Sequence, residues 1–337
     1  MKKFFMIHII KKIFLPFIIF LFAETTVYSQ DPHFTQFYAN PLYLNPAFAG
    51  TSICPRIIMN YRNQWPAIPG DFVTYSLSFD QHIEGIAGGV GLVLTSDRAG
   101  EGTVKTNMVS GIYSYRLEVN RFFSIKAGFQ ASYFQKAIDW SKLTFGDQID
   151  PRYGFIKFTQ ETKPADMTKG VVDFSAGILG YSESIYAGLA VHHLTQPDQG
   201  FFGMSKLPFK LTAHGGAVID LEQGRRRRRI DDPTISPNIL FMKQGDFSEL
   251  NFGMYYNKYP LVGGVWYRHG VIGNHNSDAF IAMLGFQTSV IKMGYSYDFT
   301  VSKLTNESGG SHEISFAIQF DCRPKKKRIR AINCPSF

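Results

Sequence analysis

The chain has 337 residues, a formal net charge of +8 and about 15% aromatic residues. That length suits one large barrel or two ordinary domains. After residue 30 it holds no apolar run long enough for a membrane-spanning helix, which excludes the helical membrane classes.

The first 29 residues read as a secretory leader. Lys2, Lys3, Lys11 and Lys12 precede the apolar run Ile13–Ala23, and Val27-Tyr28-Ser29 offers small residues before Gln30. The run is about eleven residues, too short for a membrane anchor. No cysteine follows it, so lipoprotein processing is not indicated. Removing the leader takes away four lysines and one glutamate, which leaves +5. That excess sits in two runs, Arg225–Arg229 and the tail carrying Arg323, Lys325, Lys326, Lys327, Arg328 and Arg330.

Residues 30–54 are rich in aromatics, Asn and Pro and show no period. Strands then follow at short intervals. Alternation predicts them at 56–64, 72–81, 86–97, 103–117, 122–137, 170–182, 185–194, 208–221, 234–243, 247–257, 260–269, 278–287, 290–302 and 312–320. The clearest is 290–302. There Ile291, Met293, Tyr295, Tyr297, Phe299 and Val301 alternate with Lys292, Gly294, Ser296, Asp298, Thr300 and Ser302. Successive strand side chains point to opposite faces, so one face is greasy and the other wet.

About ten residues per strand suffice for a tilted strand to cross a bilayer. A count of about fourteen is even, as bacterial single-chain barrels require. Connections also tend to alternate long and short, with long ones at 138–169 and 195–207 and short ones at 182–184 and 257–259. Two break the pattern: 243–246 is short, and the connection with the arginine run is long. Short periplasmic turns and long external loops mark membrane barrels. The wet face is Gly, Ser, Thr, Gln and Lys, whereas a soluble barrel fills its interior with large apolar groups. The expected fold is therefore an all-β transmembrane antiparallel barrel of about fourteen strands. It would comprise a leader (1–29), a periplasmic or plug segment (30–54), the barrel (55–321) and a basic, Cys-containing periplasmic tail (322–337). Both termini and Arg225–Arg229 would then be periplasmic. A secreted soluble β-protein is the rival class.

Three cysteines, Cys54, Cys322 and Cys334, would enter an oxidising compartment. Cys54 precedes the first strand and Cys322 follows the last, so closure brings both to one rim. Three pairings are possible. The short basic loop between Cys322 and Cys334 favours that pair. His192 and His193 are adjacent on a strand and would face opposite ways, so neither a metal nor a cofactor is expected. No G-x-S-x-G or HExxH motif occurs, and no enzymatic activity is expected. A basic run is by default a solvated turn, though it also attracts phosphates or acidic proteins. The leader removes nucleic acid from consideration.

The aperiodic stretch carries a family signal. Gln30-Asp-Pro-His-Phe-Thr-Gln-Phe-Tyr-Ala-Asn-Pro-Leu-Tyr-Leu-Asn-Pro-Ala-Phe-Ala-Gly50 closely resembles the start of mature PorP/SprF proteins of the Bacteroidetes type IX secretion and gliding-motility apparatus. Tyr61-Arg-Asn-Gln-Trp65-Pro, Ser96-Asp-Arg-Ala-Gly-Glu-Gly102, Phe145-Gly-Asp-Gln-Ile-Asp150, His192-His-Leu194, Ser296-Tyr-Asp298, Gly309-Gly-Ser-His-Glu313 and Ala331-Ile-Asn-Cys-Pro-Ser-Phe337 also match. Arg225–Arg229 has no counterpart. The resemblance implies an outer-membrane barrel that supports secretion or attachment of a large surface adhesin, beside periplasmic ring and lipoprotein components. Trp140, Phe145, Phe201 and Phe202, on the long loops, are the candidate adhesin contacts. Arg225, Arg226, Arg227, Arg228, Arg229, Lys325, Lys326, Lys327 and Arg328 are the candidate contacts for a periplasmic partner or for membrane lipid. A passive pore for small solutes is the alternative function.

Overall fold

The structure is a computed structural model. It describes residues 30–52, 54–100, 102–120, 122–164, 166–201, 203–222, 232–272, 278–301 and 308–322. Among these, fourteen strands form one closed antiparallel barrel. They are β1 (Arg56–Gln64), β2 (Phe72–Ile83), β3 (Gly88–Ala99), β4 (Val104–Glu118), β5 (Ser124–Ile138), β6 (Thr168–Tyr181), β7 (Ile185–His192), β8 (Lys210–Ala217), β9 (Thr234–Gln244), β10 (Phe247–Lys258), β11 (Leu261–Ile272), β12 (Ala279–Gln287), β13 (Ile291–Thr300) and β14 (Ser311–Gln319). Every strand pairs with its neighbours in the chain. β1 pairs with β14 from Arg56↔Gln319 to Gln64↔Ser311, which closes the wall. No sheet edge is left along the seam for lipid to meet.

Alternation decides which way each side chain faces. On β4 and β5, Ser110, Ser114, Lys126, Gln130 and Ser132 are buried, while Val109, Tyr113, Phe129 and Tyr133 are exposed. Elsewhere the outer face shows Ile178 at 57%, Val265 at 61% and Leu284 at 73% exposure. The wet stripe thus lines an enclosed lumen and the greasy stripe faces outward, as an outer-membrane barrel needs.

The two ends of the barrel differ. One, the terminal rim, carries Cys54 and Cys322, which form a disulfide. The pair brackets the β1–β14 seam and covalently closes the ring. The Cys322–Cys334 preference is therefore corrected: barrel closure holds Cys54 and Cys322 with their Cα atoms 5.5 Å apart. Cys334 lies outside the described residues. The segments flanking the arginine run, Ile219–Asp220 and Thr234–Ile235, pair with each other at this rim. Arg225–Arg229 and Lys325, Lys326, Lys327 and Arg328 also lie outside the described residues.

The opposite, loop rim carries the long segments 139–167 and 193–209. Its height is uneven. β4 and β5 run fifteen residues each, whereas β7 and β8 run eight. Where β7 stops short, the following loop covers the upper part of β6. Leu194 donates its backbone N–H to Phe174 O at 3.0 Å, and Lys169 Nζ reaches Asp198 Oδ2 and Gly200 O, both at 2.8 Å.

Replacing Leu284, central on the lipid face of β12, with Arg is expected to cost about 2–4 kcal/mol if it sits near the bilayer midplane. Urea unfolding of the barrel in lipid vesicles measures this.

Candidate functional site

The lumen is occupied by the chain's own residues 30–50. Their local shape follows from two Asn-Pro pairs. Pro41 opens a single helical turn, Pro41–Leu44, and Pro46 opens a 3-10 turn, Pro46–Phe48. Proline suits that first position because its missing N–H would be unpaired there anyway. Asn45 caps the second turn by accepting the Ala47 N–H at 2.8 Å. With a further 3-10 turn at Phe37–Ala39, three short turns in succession explain why the segment shows neither strand nor helix period.

The segment runs from the loop rim to the terminal rim. At the loop rim, Asp31 Oδ2 lies 2.7 Å from His193 Nε2, and the Asp31 backbone N–H donates to Gln244 Oε1 at 3.1 Å. At the far end, Gly50 N donates to Asp80 Oδ2 at 2.9 Å and Ser114 Oγ to Ala49 O at 2.6 Å. Lys126 Nζ also donates to Ala49 O. The expectation that residue 30 lies on the rim of Cys54 and Cys322 is thereby corrected. The even strand count returns Cys322 to the rim of Cys54, but residues 30–50 span the lumen, so Gln30 lies at the other rim.

Two different chemistries hold the segment. The first is polar. Arg62 of β1, Arg268 of β11, Asp298 of β13 and Glu313 of β14 are all buried. Arg62 bridges Asp298 at 3.0 Å and Glu313 at 3.2 Å, and Arg268 meets Asp298 at 2.9 Å. Into this cluster go the backbone N–H groups of Thr35 and Gln36, which donate to the two oxygens of Glu313 at 2.6 and 3.0 Å. The Thr35 hydroxyl donates to Asp298 at 2.8 Å. It accepts from Arg62 and Arg268. Gln36 donates through Nε2 to Ser296 Oγ and Glu313 O, and accepts from Ser315 Oγ through Oε1. Buried charge is tolerable only when paired and fully hydrogen-bonded, and here the inserted segment supplies part of that pairing.

The second is apolar. Phe37, Tyr38, Leu42, Leu44, Ala47 and Phe48 are buried in one cluster with wall residues that include Ile112, Leu179, Leu240, Tyr255 and Trp266. Phe37 and Tyr38 pack on Trp266 with ring centroids 5.5 and 6.0 Å apart. This inner apolar patch departs from the predominantly polar lumen expected from the sequence. Its signal was present: in Gly91-Leu-Val-Leu94, Ile239-Leu-Phe241 and Val265-Trp-Tyr267 both faces of the strand are apolar. The fit is close enough that a Cβ on Gly128 would collide with Ala47 N.

His193 is the fastening that pairing alone would miss. Adjacent strand residues face opposite ways, but His193 lies past the end of β7 with φ +61°. Both histidines therefore turn inward. His192 Nε2 meets Leu44 O at 3.3 Å, and His193 bridges Asp31 and Asp173, each at 2.7 Å. Burial by itself lowers the His193 pKa, but the Asp31 and Asp173 carboxylates outweigh it and raise it from 6.5 to about 9. Burial likewise opposes ionisation of Asp31, yet His193 and then Lys210 hold it well below its ordinary 3.8. Among the described residues, no group of three or more His, Cys, Asp or Glu is placed to hold a metal ion.

Beyond this clasp the lumen widens into two adjoining cavities at the loop rim, of about 500 and about 300 Å³. Gln30, Asp31, His33 and Trp65 line both. Of the loop aromatics chosen from sequence, Trp140 and Phe145 pack on each other 4.7 Å apart and are half-buried. Phe201 is half-buried and Phe202 lies outside the described residues. The outward-facing set is instead Tyr153, Phe155, Ile156 and Phe158, the last at 97% exposure.

Residues 26–318 match the family described as type IX secretion system membrane protein PorP/SprF. The chain belongs to that family. In this PorP/SprF protein the signature stretch 30–50 is the segment inside the barrel, and Arg62, Asp298 and Glu313, which clamp it, lie within three other matched motifs. No curated protein matches the chain. Solved barrels resemble it at low identity. The TodX ΔS2S3 mutant monoaromatic hydrocarbon channel is 10% identical with a TM-score of 0.49, over 83% of this chain and 94% of that one. Omp33 of Acinetobacter baumannii is 8% identical with a TM-score of 0.44, over 80% and 100%. The KdgM porin is 10% identical with a TM-score of 0.36, over 79% and 99%.

The clasp has a definite pH window. A raised His193 pKa gives stability that is full below 6.5 and lost as pH rises through about 9. A lowered Asp31 pKa gives stability present above 3.8 and lost as pH falls through its depressed value. The melting temperature of the folded barrel in detergent should fall between pH 8 and 10, and His193→Gln should flatten that dependence. Independently, Glu313→Ala leaves Arg62 and two backbone N–H groups short of their acceptor. It should cost about 3–5 kcal/mol in denaturant unfolding.

Proposed function

We propose that this PorP/SprF protein is a non-enzymatic docking component of the outer membrane. Its loop rim faces the cell exterior and engages a large secreted adhesin, supporting that adhesin's secretion or its retention at the surface. The observation that carries this reading is the filled lumen beneath an apolar external loop. Residues 30–50 occupy the path a solute would take, while Tyr153, Phe155, Ile156 and Phe158 stand exposed above the rim. Strands β4–β6 run fourteen or fifteen residues, beyond the roughly 9–11 that cross a bilayer, which lifts their connecting loop clear of the lipid. Exposed apolar groups in such a place mark a contact surface.

On the other side, Arg225–Arg229 and Lys325, Lys326, Lys327 and Arg328 are proposed to meet acidic periplasmic partners of the secretion machinery or inner-leaflet phosphates. Their run of one charge sign supports that, and the attraction is screened by salt over about 8–10 Å. The terminal rim, with the carboxyl-terminal tail, is then periplasmic.

Changing Tyr153, Phe155, Ile156 and Phe158 together to Ser should weaken adhesin binding at least about 100-fold, since buried aromatic anchors carry most interface energy. Adhesin retained on intact cells is the readout, with heat-modifiable migration of the barrel as the folding control. Unchanged retention, together with steady large conductance of the purified protein in a planar bilayer, would instead favour a passive pore.

A further inference from the structure

We infer that leader removal creates an amino terminus displayed at the outer mouth of the barrel, with residues 30–50 left in the lumen as a lasting stopper. The two ends of the mature chain then lie on opposite sides of the membrane. A secreted partner passes beside this barrel, not through it. This rests on the proposed outward orientation of the loop rim.

The path of the segment carries the argument. Gln30, the first residue after the leader, is exposed and borders both mouth cavities. Asp31 is tied to His193 and Gln244, which sit at or just past the loop-rim ends of β7 and β9. Thr35 and Gln36 are clamped one level deeper by Glu313 and Asp298. Gly50 then reaches Asp80, near the terminal-rim end of β2, before the chain turns into β1. The segment is therefore anchored at the loop rim, again just below it, and at the bottom of the wall.

Three features make it a stopper rather than a transient lodger. Withdrawal would leave Glu313, Asp298, Arg62 and Arg268 without Thr35 and Gln36. It would also expose to water the apolar patch that now covers Phe37, Leu42 and Phe48. Finally, wall and segment interlock at small residues: a Cβ on Gly89 would lie only 2.5 Å from Gly50 Cα.

Single cysteines placed in a Cys334→Ser background, labelled with a membrane-impermeant maleimide on intact cells, test this. A cysteine inserted between Gln30 and Asp31 reports the amino terminus, Phe158→Cys the loop rim and Lys258→Cys the terminal rim. The expected result is labelling of the first two on intact cells, and of Lys258→Cys only after permeabilisation. Labelling of Phe158→Cys on intact cells, with the inserted cysteine labelled only after permeabilisation, overturns the inference and leaves the orientation standing. Labelling of Lys258→Cys but not Phe158→Cys overturns the orientation itself. Should the inserted cysteine be shielded from reagent in every native sample, an epitope inserted at the same place decides. Antibody binding to intact cells is expected, and detection only in permeabilised cells refutes the inference.

Discussion

Everything in this molecule depends on closing the hydrogen-bond ladder between β1 and β14. A bilayer core offers no partner for an unpaired N–H or C=O, so a sheet with free edges has no stable place in it. The nine residue pairs from Arg56↔Gln319 to Gln64↔Ser311 remove both edges at once. The Cys54–Cys322 disulfide then ties the strands together at the terminal rim. Once the wall is closed, alternation leaves one face for lipid and one for the lumen, and each strand's composition follows from that division.

A closed wall creates a second problem, which is what fills it. Arg62, Arg268, Asp298 and Glu313 come from four strands and meet inside the barrel, where all four are buried. They neutralise one another, and Thr35 and Gln36 add hydrogen bonds to Glu313 and Asp298 that the wall does not supply. Below them the wall turns apolar and accepts Phe37, Leu42 and Phe48. Polar anchoring above and apolar packing below suit one insert in one direction. A segment shifted along the axis would set phenylalanine against carboxylates and leave Thr35 among leucines. The wall thus specifies the register of its insert as well as its presence.

That arrangement separates the two rims by role. The lumen carries structure, and the proposed contacts with other molecules lie at the ends. At the loop rim, tall strands raise an apolar loop beyond the lipid, and the Asp31–His193–Asp173 bridge fastens the start of the insert beneath it. At the terminal rim lie the disulfide and the hairpin that leads into the arginine run. Membership in the type IX secretion family fits a barrel whose interior is occupied and whose surfaces face two compartments.

The wall was readable from sequence because it depends on a local rule. A period of two, repeated in fourteen segments, marks each strand without knowledge of its neighbour, and each strand begins within about two residues of where alternation places it. The barrel class, the lipid-facing stripe and the PorP/SprF resemblance followed from residues close together in the chain. What the tertiary structure alone decided are pairings between distant residues. Cys54 chose Cys322 across 268 residues because closure put them side by side. His193 turned inward because β7 ends at His192, and Tyr153–Phe158 rather than Trp140 and Phe145 took the exposed face because the loop packs its first aromatics against each other. The passage of residues 30–50 through the lumen belongs to the same class, since a segment without a period declares its place only through the wall groups that receive it.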